Sequence, residues 1–367
     1  MNNINLIDLK DRYKEEKDEL LSIFTKVIES GNLILSDENS NLEMEICRFI
    51  NSKFCLTLNS GTDALMMALW SLGIKKGDEV ITSSVSFIAT AAAIDHVGAK
   101  PVFVDVKNDL NIDENLIEEK ITDKTKCIIP VHWTGRMCNM KSIYEIGKKH
   151  NLSIIEDAAQ AIGSSLDGTR PGKYSDVATF STHPLKILNA LGDGGFLTTN
   201  NEQIYEKIKK YRNHGMVARD DYEIFGVNSR LDSLNAAVLR FRLKKVNDVI
   251  SRRDNNINFY RDHIKTEKFK IIKCRENERN SFTMFVSLAE DRDNLHKYLN
   301  ENNIQSLIYY GKPLHLQNSS KKLGYKLGDF PNAERLCDSV ISIPFHQHLS
   351  KDKLQYISDK INTFYKN

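Results

Sequence analysis

The sequence predicts an α/β protein with a mainly parallel central sheet flanked by helices in a large domain, followed by a smaller C-terminal α/β domain. Short β-rich apolar runs alternate with longer helical patterns between about residues 53 and 215, which is typical of βαβ units. After Ser229 the pattern becomes a long helical stretch with few breakers. A chain of 367 residues usually divides into two domains, and we expect these to be residues 1–245 and 246–367.

The apolar runs predict the elements in order. Strands are expected at 54–58, 79–82, 101–104, 127–131, 153–155, 177–180 and 196–199. Helices are expected at 63–72, 141–150 and 203–211, and the stretch after Ser229 is either one helix or two. In the second unit we expect strands at 281–287 and 304–308 and helices at 292–300 and after Lys351. The charged stretch 10–19 is expected to be a solvated helix face.

Composition and charge exclude several classes of function. Lysine and arginine total 51 against 49 acidic residues, so the net charge of +2 provides no field for nucleic acid or for anionic lipid. The N-terminus has no apolar signal segment, and no window approaches eighteen apolar residues, so we expect a cytoplasmic protein that does not engage a membrane. The six cysteines form no C-x-x-C pair, which predicts reduced thiols and no metal site.

Three segments carry residues suited to chemistry, each just after a predicted strand. Residues 59–63 (N-S-G-T-D) open a helix, where backbone N–H groups bind anions, although taken alone the pattern favours an ordinary N-cap by Ser60 or Thr62. Asp157 follows the apolar run at 153–155, where it suits either a helix cap or a partner for a cationic ring nitrogen. Lys186 follows a third strand, where a lysine with a pKa lowered by burial or nearby cations suits imine formation with an aldehyde cofactor, and a surface charge is the alternative role.

Six motifs in order resemble one family of enzymes. They are N-S-G-T-D-A-L at 59–65, S-F-I-A-T-A-A-A-I at 86–94, E-D-A-A-Q-A at 156–161, F-S-T-H-P-L-K at 180–186, G-D-G-G at 192–195 and G-V-N-S-R-L-D at 226–232. With these motifs the chain resembles the aspartate-aminotransferase-fold (fold type I) pyridoxal phosphate enzymes. Within them it is similar to the DegT/DnrJ/EryC1/StrS sugar aminotransferases, over nearly the whole chain.

The resemblance implies a cofactor, pyridoxal 5′-phosphate, and the residues that hold it. Lys186 is similar to the lysine that forms the imine, and Asp157 to the partner of the pyridinium nitrogen, so these two would be the catalytic residues. The remaining expected cofactor contacts are the aromatic Phe87 on the ring, Gln160 at the phenolic oxygen, and Gly61, Thr62 and Ser181 at the phosphate. From its residue type alone, Phe87 in an apolar stretch would be assigned to the core.

Asn228 implies a shared active site. In relatives the asparagine of G-x-N-x-R reaches the phosphate of the neighbouring subunit's cofactor, so the resemblance implies a homodimer with shared sites. An N-cap role for Asn228 or Asp232 on the following helix is compatible with this.

The substrate contacts follow less directly from the resemblance. Tyr309, Tyr310 and His315 are similar to the segment that approaches the sugar in relatives, and packing between domains is the alternative role for them. His183 is either a substrate contact or a buried histidine satisfied by backbone groups. The chain departs from the family's usual H-x-Y-G at residues 132–135 and at Leu185, which bears on the substrate rather than the cofactor.

The resemblance implies an aminotransferase that moves an amino group from L-glutamate to a nucleotide-linked keto-deoxysugar. The expected setting is glycan or surface polysaccharide biosynthesis, such as the lipopolysaccharide O-antigen. Two alternatives remain open: an aminotransferase acting on a cyclitol or another ketone without a nucleotide, and a non-catalytic regulator or scaffold that binds pyridoxal phosphate. Neither the nucleotide nor the choice between C3 and C4 amination follows from the sequence.

Overall fold

A computed structural model describes residues 3–366 and has a seven-stranded sheet at its centre. The strands are β1 (Phe54–Leu58), β2 (Glu79–Ser83), β3 (Lys100–Val104), β4 (Thr125–Ile129), β5 (Ser153–Asp157), β6 (Ser165–Leu166), β7 (Val177–Ser181), β8 (Gly195–Thr199), β9 (Met216–Ala218), β10 (Asp221–Tyr222), β11 (Phe269–Ile271), β12 (Glu278–Arg279), β13 (Ser287–Ala289) and β14 (Val340–Ile341). The sheet order is β1-β8-β7-β5-β4-β2-β3, and only β8 runs antiparallel to its neighbours. The predicted mainly parallel sheet is therefore confirmed.

Helices cover both faces of this sheet. They are α1 (Leu9–Ser30), α2 (Asp37–Ile50), α3 (Gly61–Ser71), α4 (Ala89–His96), α5 (Met140–His150), α6 (Glu202–Tyr211), α7 (Ser233–Leu243), α8 (Val246–His263), α9 (Arg292–Glu301), α10 (Pro331–Ser339) and α11 (Lys351–Phe364). The long stretch after Ser229 forms two helices, α7 and α8, separated by two residues. The sheet strands are buried on both sides, as parallel strands between helical layers must be.

The predicted bounds of two strands near the C-terminus are wrong. Only Ser287–Ala289 of the region around 281–287 is a strand, in an antiparallel sheet of order β11-β13-β14. Before it, the Asn280 side chain accepts from the Phe282 backbone N–H at 2.8 Å, and local side-chain bonds of this kind compete with a ladder. The predicted strand 304–308 reduces to isolated bridges at Ile304 and Leu307.

The N-terminal residues contact the C-terminal part of the chain. Ile4 forms a parallel bridge with Ile304 and belongs to the hydrophobic cluster that includes Ile257 and Leu295. The division into residues 1–245 and 246–367 stays a prediction, and this contact shows that residues near the N-terminus pack on the second of those units.

The expectation of a fully solvated face at 10–19 is wrong for two charged residues of α1. Arg12 and Glu16 are 5% and 3% exposed, and they bond to each other across one helical turn. Helical spacing brings every fourth residue to the same face, so these two point into the protein while their neighbours face water.

Three further observations concern membrane-spanning helices, metal-binding groups and cysteines. In residues 3–366 no helix is long and apolar enough to cross a membrane. The same part of the chain contains no group of three or more side chains arranged to hold a metal ion. All six cysteines are free thiols.

Candidate active site

A cavity of about 410 Å³ opens at the carboxyl ends of β5 and β7, the position where ligands of open α/β sheets bind. Residues of the second unit, including Met284 and Phe285, form its opposite wall. Its lining contains ten of the twelve predicted site residues, all except Asn228 and His315: Gly61, Thr62, Phe87, Asp157, Gln160, Ser181, His183, Lys186, Tyr309 and Tyr310. The structure thus brings together residues that lie far apart in the sequence.

The N-terminus of α3 forms one end of the cavity. Ser60 caps this helix, because its hydroxyl accepts from the Asp63 backbone N–H at 3.0 Å. A Cβ atom on Gly61 would lie 2.8 Å from Ser181 Cβ, so only glycine allows β7 to approach the helix so closely. The capping role is therefore compatible with the predicted anion site, since the cap leaves the first N–H groups of the helix beside the cavity.

Lys186 lies in the loop after β7 and is the cationic residue of the cavity. Loss of water around the side chain lowers the pKa of the Lys186 amine to about 8, and the Asp157 carboxylate opposes this effect. A lowered pKa gives a substantial fraction of free amine near neutral pH, which an imine-forming lysine requires.

Asp157 ends β5 with its carboxylate facing the cavity, and the structure fixes both of its oxygens. Thr90 donates its hydroxyl to Oδ2 at 2.7 Å, and the Ala159 backbone N–H donates to Oδ1 at 3.1 Å. The side chain is 5% exposed, so the carboxylate has a single orientation with little competition from water. This arrangement suits a partner for a protonated ring nitrogen.

The neighbouring Glu156 lies on the other side of the strand, as alternation along β5 requires. Its carboxylate accepts from the Ser175 hydroxyl at 2.6 Å and lies 2.6 Å from His132 Nε2. The Cys138 backbone N–H donates to His132 Nδ1 at 3.2 Å, so the proton of this ring lies on Nε2. Glu156 and His132 therefore support β5 from behind and do not contact the cavity.

Phe87, Tyr310 and Gln160 form a wall near Asp157. Phe87 precedes α4 and is 55% exposed, so the core assignment that its residue type favours is wrong. Its ring centroid lies 6.2 Å from that of Tyr310. Gln160 accepts from the Thr134 backbone N–H at 2.8 Å, which turns its amide nitrogen away from that contact. The wall therefore presents the exposed aromatic ring of Phe87 and the amide of Gln160, which a hydrogen bond holds in place.

The expected substrate residues separate into two groups. His183 is exposed at the cavity rather than buried, and Tyr309 and Tyr310 are partly buried in its wall. His315 does not line this cavity, and its predicted place in the wall is corrected. It is 1% exposed, lies 2.9 Å from a Glu334 carboxylate oxygen, and packs against Phe330. The partly buried Glu334 carboxylate and the Phe330 ring thus hold His315 in the packing role that was its alternative.

Asn228 lies outside the cavity of its own chain. Its side-chain oxygen accepts from Arg230 Nε at 2.9 Å, and the residue is exposed. It does not cap α7, because Asp232 is the N-cap residue of that helix. Its exposed position leaves it free to contact another molecule.

The sequence did not predict several residues that line the cavity or hold its side chains in place. Thr90 holds Asp157, and its signal was a hydroxyl one turn from Ser86 within the motif at 86–94. Leu6 and Ile7 line the cavity from the N-terminal segment, and Ser342 lines it from the segment after β14. These positions depend on contacts between distant parts of the chain, which local patterns do not reveal.

Comparison with known proteins decides the family. The model of the DegT/DnrJ/EryC1/StrS aminotransferase family matches residues 14–362. The chain belongs to this family of aminotransferases. The predicted family and the predicted class of enzyme, an aminotransferase, are confirmed.

Similar proteins include both enzymes and a protein named as a regulator. The chain is 36% identical to the "pleiotropic regulatory protein" of Geobacillus stearothermophilus over 99% of both chains. It is also 36% identical to the dTDP-3-amino-3,6-dideoxy-alpha-D-galactopyranose transaminase of Aneurinibacillus thermoaerophilus, covering 98% of this chain and 99% of that one. The crystal structure of S. venezuelae DesV in complex with a ketimine intermediate matches with a TM-score of 0.97 and 32% identity over 100% of both chains. The predicted fold type is confirmed by this match.

The residues of the cavity fit pyridoxal phosphate, the cofactor of this family, and that prediction is confirmed. The N-terminus of α3 offers N–H groups to a phosphate, next to a contact that a Cβ on Gly61 would block. Lys186 offers an amine of lowered pKa, and the buried Asp157 offers an anionic partner. Phe87 offers an exposed aromatic face for a ring.

Proposed function

We propose that the protein transfers an amino group from L-glutamate to a nucleotide-linked keto-deoxysugar. One observation carries the proposal: Lys186 and the fixed Asp157 carboxylate share one cavity with the N-terminus of α3. The sugar-nucleotide substrate is supported by the name of the similar Aneurinibacillus transaminase, which acts on a dTDP-linked dideoxysugar. The product is proposed to enter a surface glycan, such as the lipopolysaccharide O-antigen, and the proposed location is the cytoplasm.

The mechanism divides the work between few residues. Pyridoxal phosphate, when bound, supplies the aldehyde and the electron-accepting ring. Asp157 would keep a proton on the ring nitrogen, because its anionic carboxylate, anchored by Thr90, faces the cavity. Lys186 would provide the amine that holds the cofactor and, once displaced by the amino donor, would act as the general base and acid that moves a proton from and to the reacting carbon. Phe87 and the N-terminus of α3 would hold the ring and the phosphate.

The substrate assignment is tested with a panel of acceptors. Purified protein loaded with pyridoxal phosphate and L-glutamate is mixed with nucleotide-linked ketosugars, with the same sugars lacking the nucleotide, and with a keto-cyclitol. The proposal predicts an amino product from a nucleotide-linked member, with much lower kcat/KM for its free sugar. An efficient reaction with the free ketone would contradict the nucleotide requirement, and no transfer to any ketone would favour the regulator that the Geobacillus relative's name suggests.

We also propose a homodimer in which each subunit completes the other's site. On α1, the side chains of Leu21, Phe24 and Ile28 form an apolar stripe that is about half exposed, and stripes of this kind mark protein interfaces. Phe225 is fully exposed in the loop that precedes Asn228. Phe225 is thus an exposed aromatic residue close to Asn228, which does not line the cavity of its own chain. Both features suit a loop that contacts a partner subunit.

Complementation tests this arrangement directly. Lys186→Ala and Asn228→Ala are each expected to be nearly inactive as pure proteins. Mixed and refolded or co-expressed, they form hybrid dimers in which one site has both an intact Lys186 and an intact Asn228 from the other subunit. Random pairing then restores about a quarter of wild-type turnover. No recovery in a hybrid dimer verified by mass would contradict shared sites.

A further inference from the structure

The loop that carries Lys186 is closed by its own hydrogen bonds. We define this lysine loop as residues 182–191. The Ala190 backbone N–H donates to Thr182 O at 2.7 Å, and the Asn189 amide donates to Pro184 O at 2.6 Å. These bonds fix the shape of the loop, but contacts from outside are needed to fix where it sits relative to the cavity.

Two buried arginines from different helices hold the second half of the lysine loop. Arg12 of α1 donates to Ile187 O at 3.1 Å. Arg242 of α7 donates to Asn189 O at 2.6 Å, with a longer contact to Ala190 O at 3.4 Å. Each contacted carbonyl lies within four residues of Lys186, and the first belongs to the next residue in the chain. Hydrogen bonds from charged donors are the stronger kind, so these contacts restrain the loop firmly.

Glu16 joins the two arginines into one unit. Its Oε1 accepts from Arg12 Nε at 3.3 Å, and its Oε2 accepts from Arg242 Nε at 2.9 Å. All three side chains are at least 94% buried. Two buried cations share one anion, and the loop carbonyls supply the remaining acceptors. We call these three residues the arginine clamp.

The arginine clamp does not line the cavity and so acts on the reaction only through the loop. We propose that Arg242, together with Arg12 and the bridging Glu16, is a positioning residue that holds the Lys186 amine in register with the bound cofactor. This inference rests on the proposed role of Lys186. Proton transfer depends steeply on alignment, and a displacement of about 1 Å costs about 100-fold in rate.

A purely structural ion cluster is the alternative, and the charge arrangement allows a variant that separates the two. Arg242→Met removes both carbonyl contacts but leaves Arg12 and Glu16 as a neutral pair, so no uncompensated charge is buried. Arg242→Lys keeps a cation that is too short to reach both Glu16 and the loop. Arg240→Met is the matched control, because Arg240 lies on the same helix and pairs with Glu38 and Glu45 but does not touch the lysine loop.

The experiment measures steady-state kinetics, the visible band of the bound cofactor and thermal unfolding on the loaded, full-length protein. For Arg242→Met we expect kcat to fall at least about tenfold while KM for L-glutamate changes less than about threefold, because alignment affects the reacting state more than binding. The pH dependence of the visible band should shift as well, since a displaced amine has a different environment. Arg240→Met should match wild type in kcat, in KM for L-glutamate and in the pH dependence of the visible band.

Three results decide the proposal. A wild-type kcat in Arg242→Met, or an equal loss in Arg240→Met, overturns it. If Arg242→Met does not fold, Arg242→Lys is measured instead. A fall in kcat at an unchanged midpoint of thermal unfolding supports the proposed role of the arginine clamp, and an unchanged kcat overturns it. Lys186→Ala keeps the two hypotheses apart: a wild-type-like band in that variant refutes the role of Lys186 itself, whereas clamp variants are expected to form the band and turn over slowly.

Discussion

Gly195 offers a direct test of the close packing at the end of the cavity that the N-terminus of α3 forms. It lies on β8 between Leu58 of β1 and Ser181 of β7. A Cβ at this position would lie 2.4 Å from Ser60 C and 2.5 Å from Gly61 N, where ordinary contacts begin near 3.4 Å. In Gly195→Ala the backbone at 60–61 must therefore move by about 1 Å, which displaces the N-terminus of α3 from its position beside the cavity.

The expected magnitude follows from that movement. Overpacking of this kind costs about 1–3 kcal/mol in the free energy of unfolding. A displaced helix N-terminus also loses part of its bonding to the phosphate, and a loss of about 1.4 kcal/mol weakens binding tenfold. Gly192→Ala is the matched control from the same motif, because its Cβ would meet nothing within 4 Å.

Two assays measure these effects separately. Urea unfolding of the cofactor-free protein gives the change in stability, and titration with pyridoxal phosphate followed by absorbance gives the change in Kd. We expect Gly195→Ala to be less stable and to bind at least about tenfold more weakly, with Gly192→Ala close to wild type. Wild-type stability and wild-type Kd in Gly195→Ala would refute this account of the packing.

Three further predictions concern single side chains. The rate at which cofactor-free protein forms the imine should rise with pH through a midpoint of about 8, since desolvation lowers the pKa of Lys186 and only the free amine reacts; a midpoint near 10.5 would contradict this. Thr90→Val removes the donor to Asp157 and should weaken cofactor binding about tenfold, with Thr90→Ser retaining it, whereas equal Kd values for the two would contradict the role. His315→Ala breaks the partly buried contact with Glu334 and should lower the free energy of unfolding by about 1–3 kcal/mol in urea; a rise in the acceptor's KM instead would return His315 to the substrate wall.

Much of the sheet was predictable because its information is local. A short apolar run between turn residues predicts a buried strand, and the predicted range 54–58 coincides with β1. The region 281–287 has similar apolar residues, but Ser281 donates its hydroxyl to Gln160 O at 2.7 Å in a distant segment. That long-range hydrogen bond stabilises an irregular backbone, and no local pattern in residues 281–287 predicts it.

The site was predictable where motifs encode it and unpredictable where only packing does. Motifs led to Asp157 and Lys186, which the structure places in one cavity. The buried Arg12 and Glu16 look like surface charges in the sequence, because their partners on α7 and in the lysine loop lie far along the chain. His315 differs from its prediction for the converse reason, since Tyr309 and Tyr310 of the same segment line the cavity while the partner of His315, Glu334, lies in α10.

Lys186 is proposed to hold the cofactor and to drive amino transfer. The visible absorption spectrum of the purified protein with pyridoxal phosphate, recorded before and after L-glutamate and beside Lys186→Ala, tests this role. We expect a band in the wild type that depends on Lys186 and that glutamate converts to the spectrum of the aminated cofactor. An identical band in Lys186→Ala, or a wild-type band that no amino donor alters, would contradict this role.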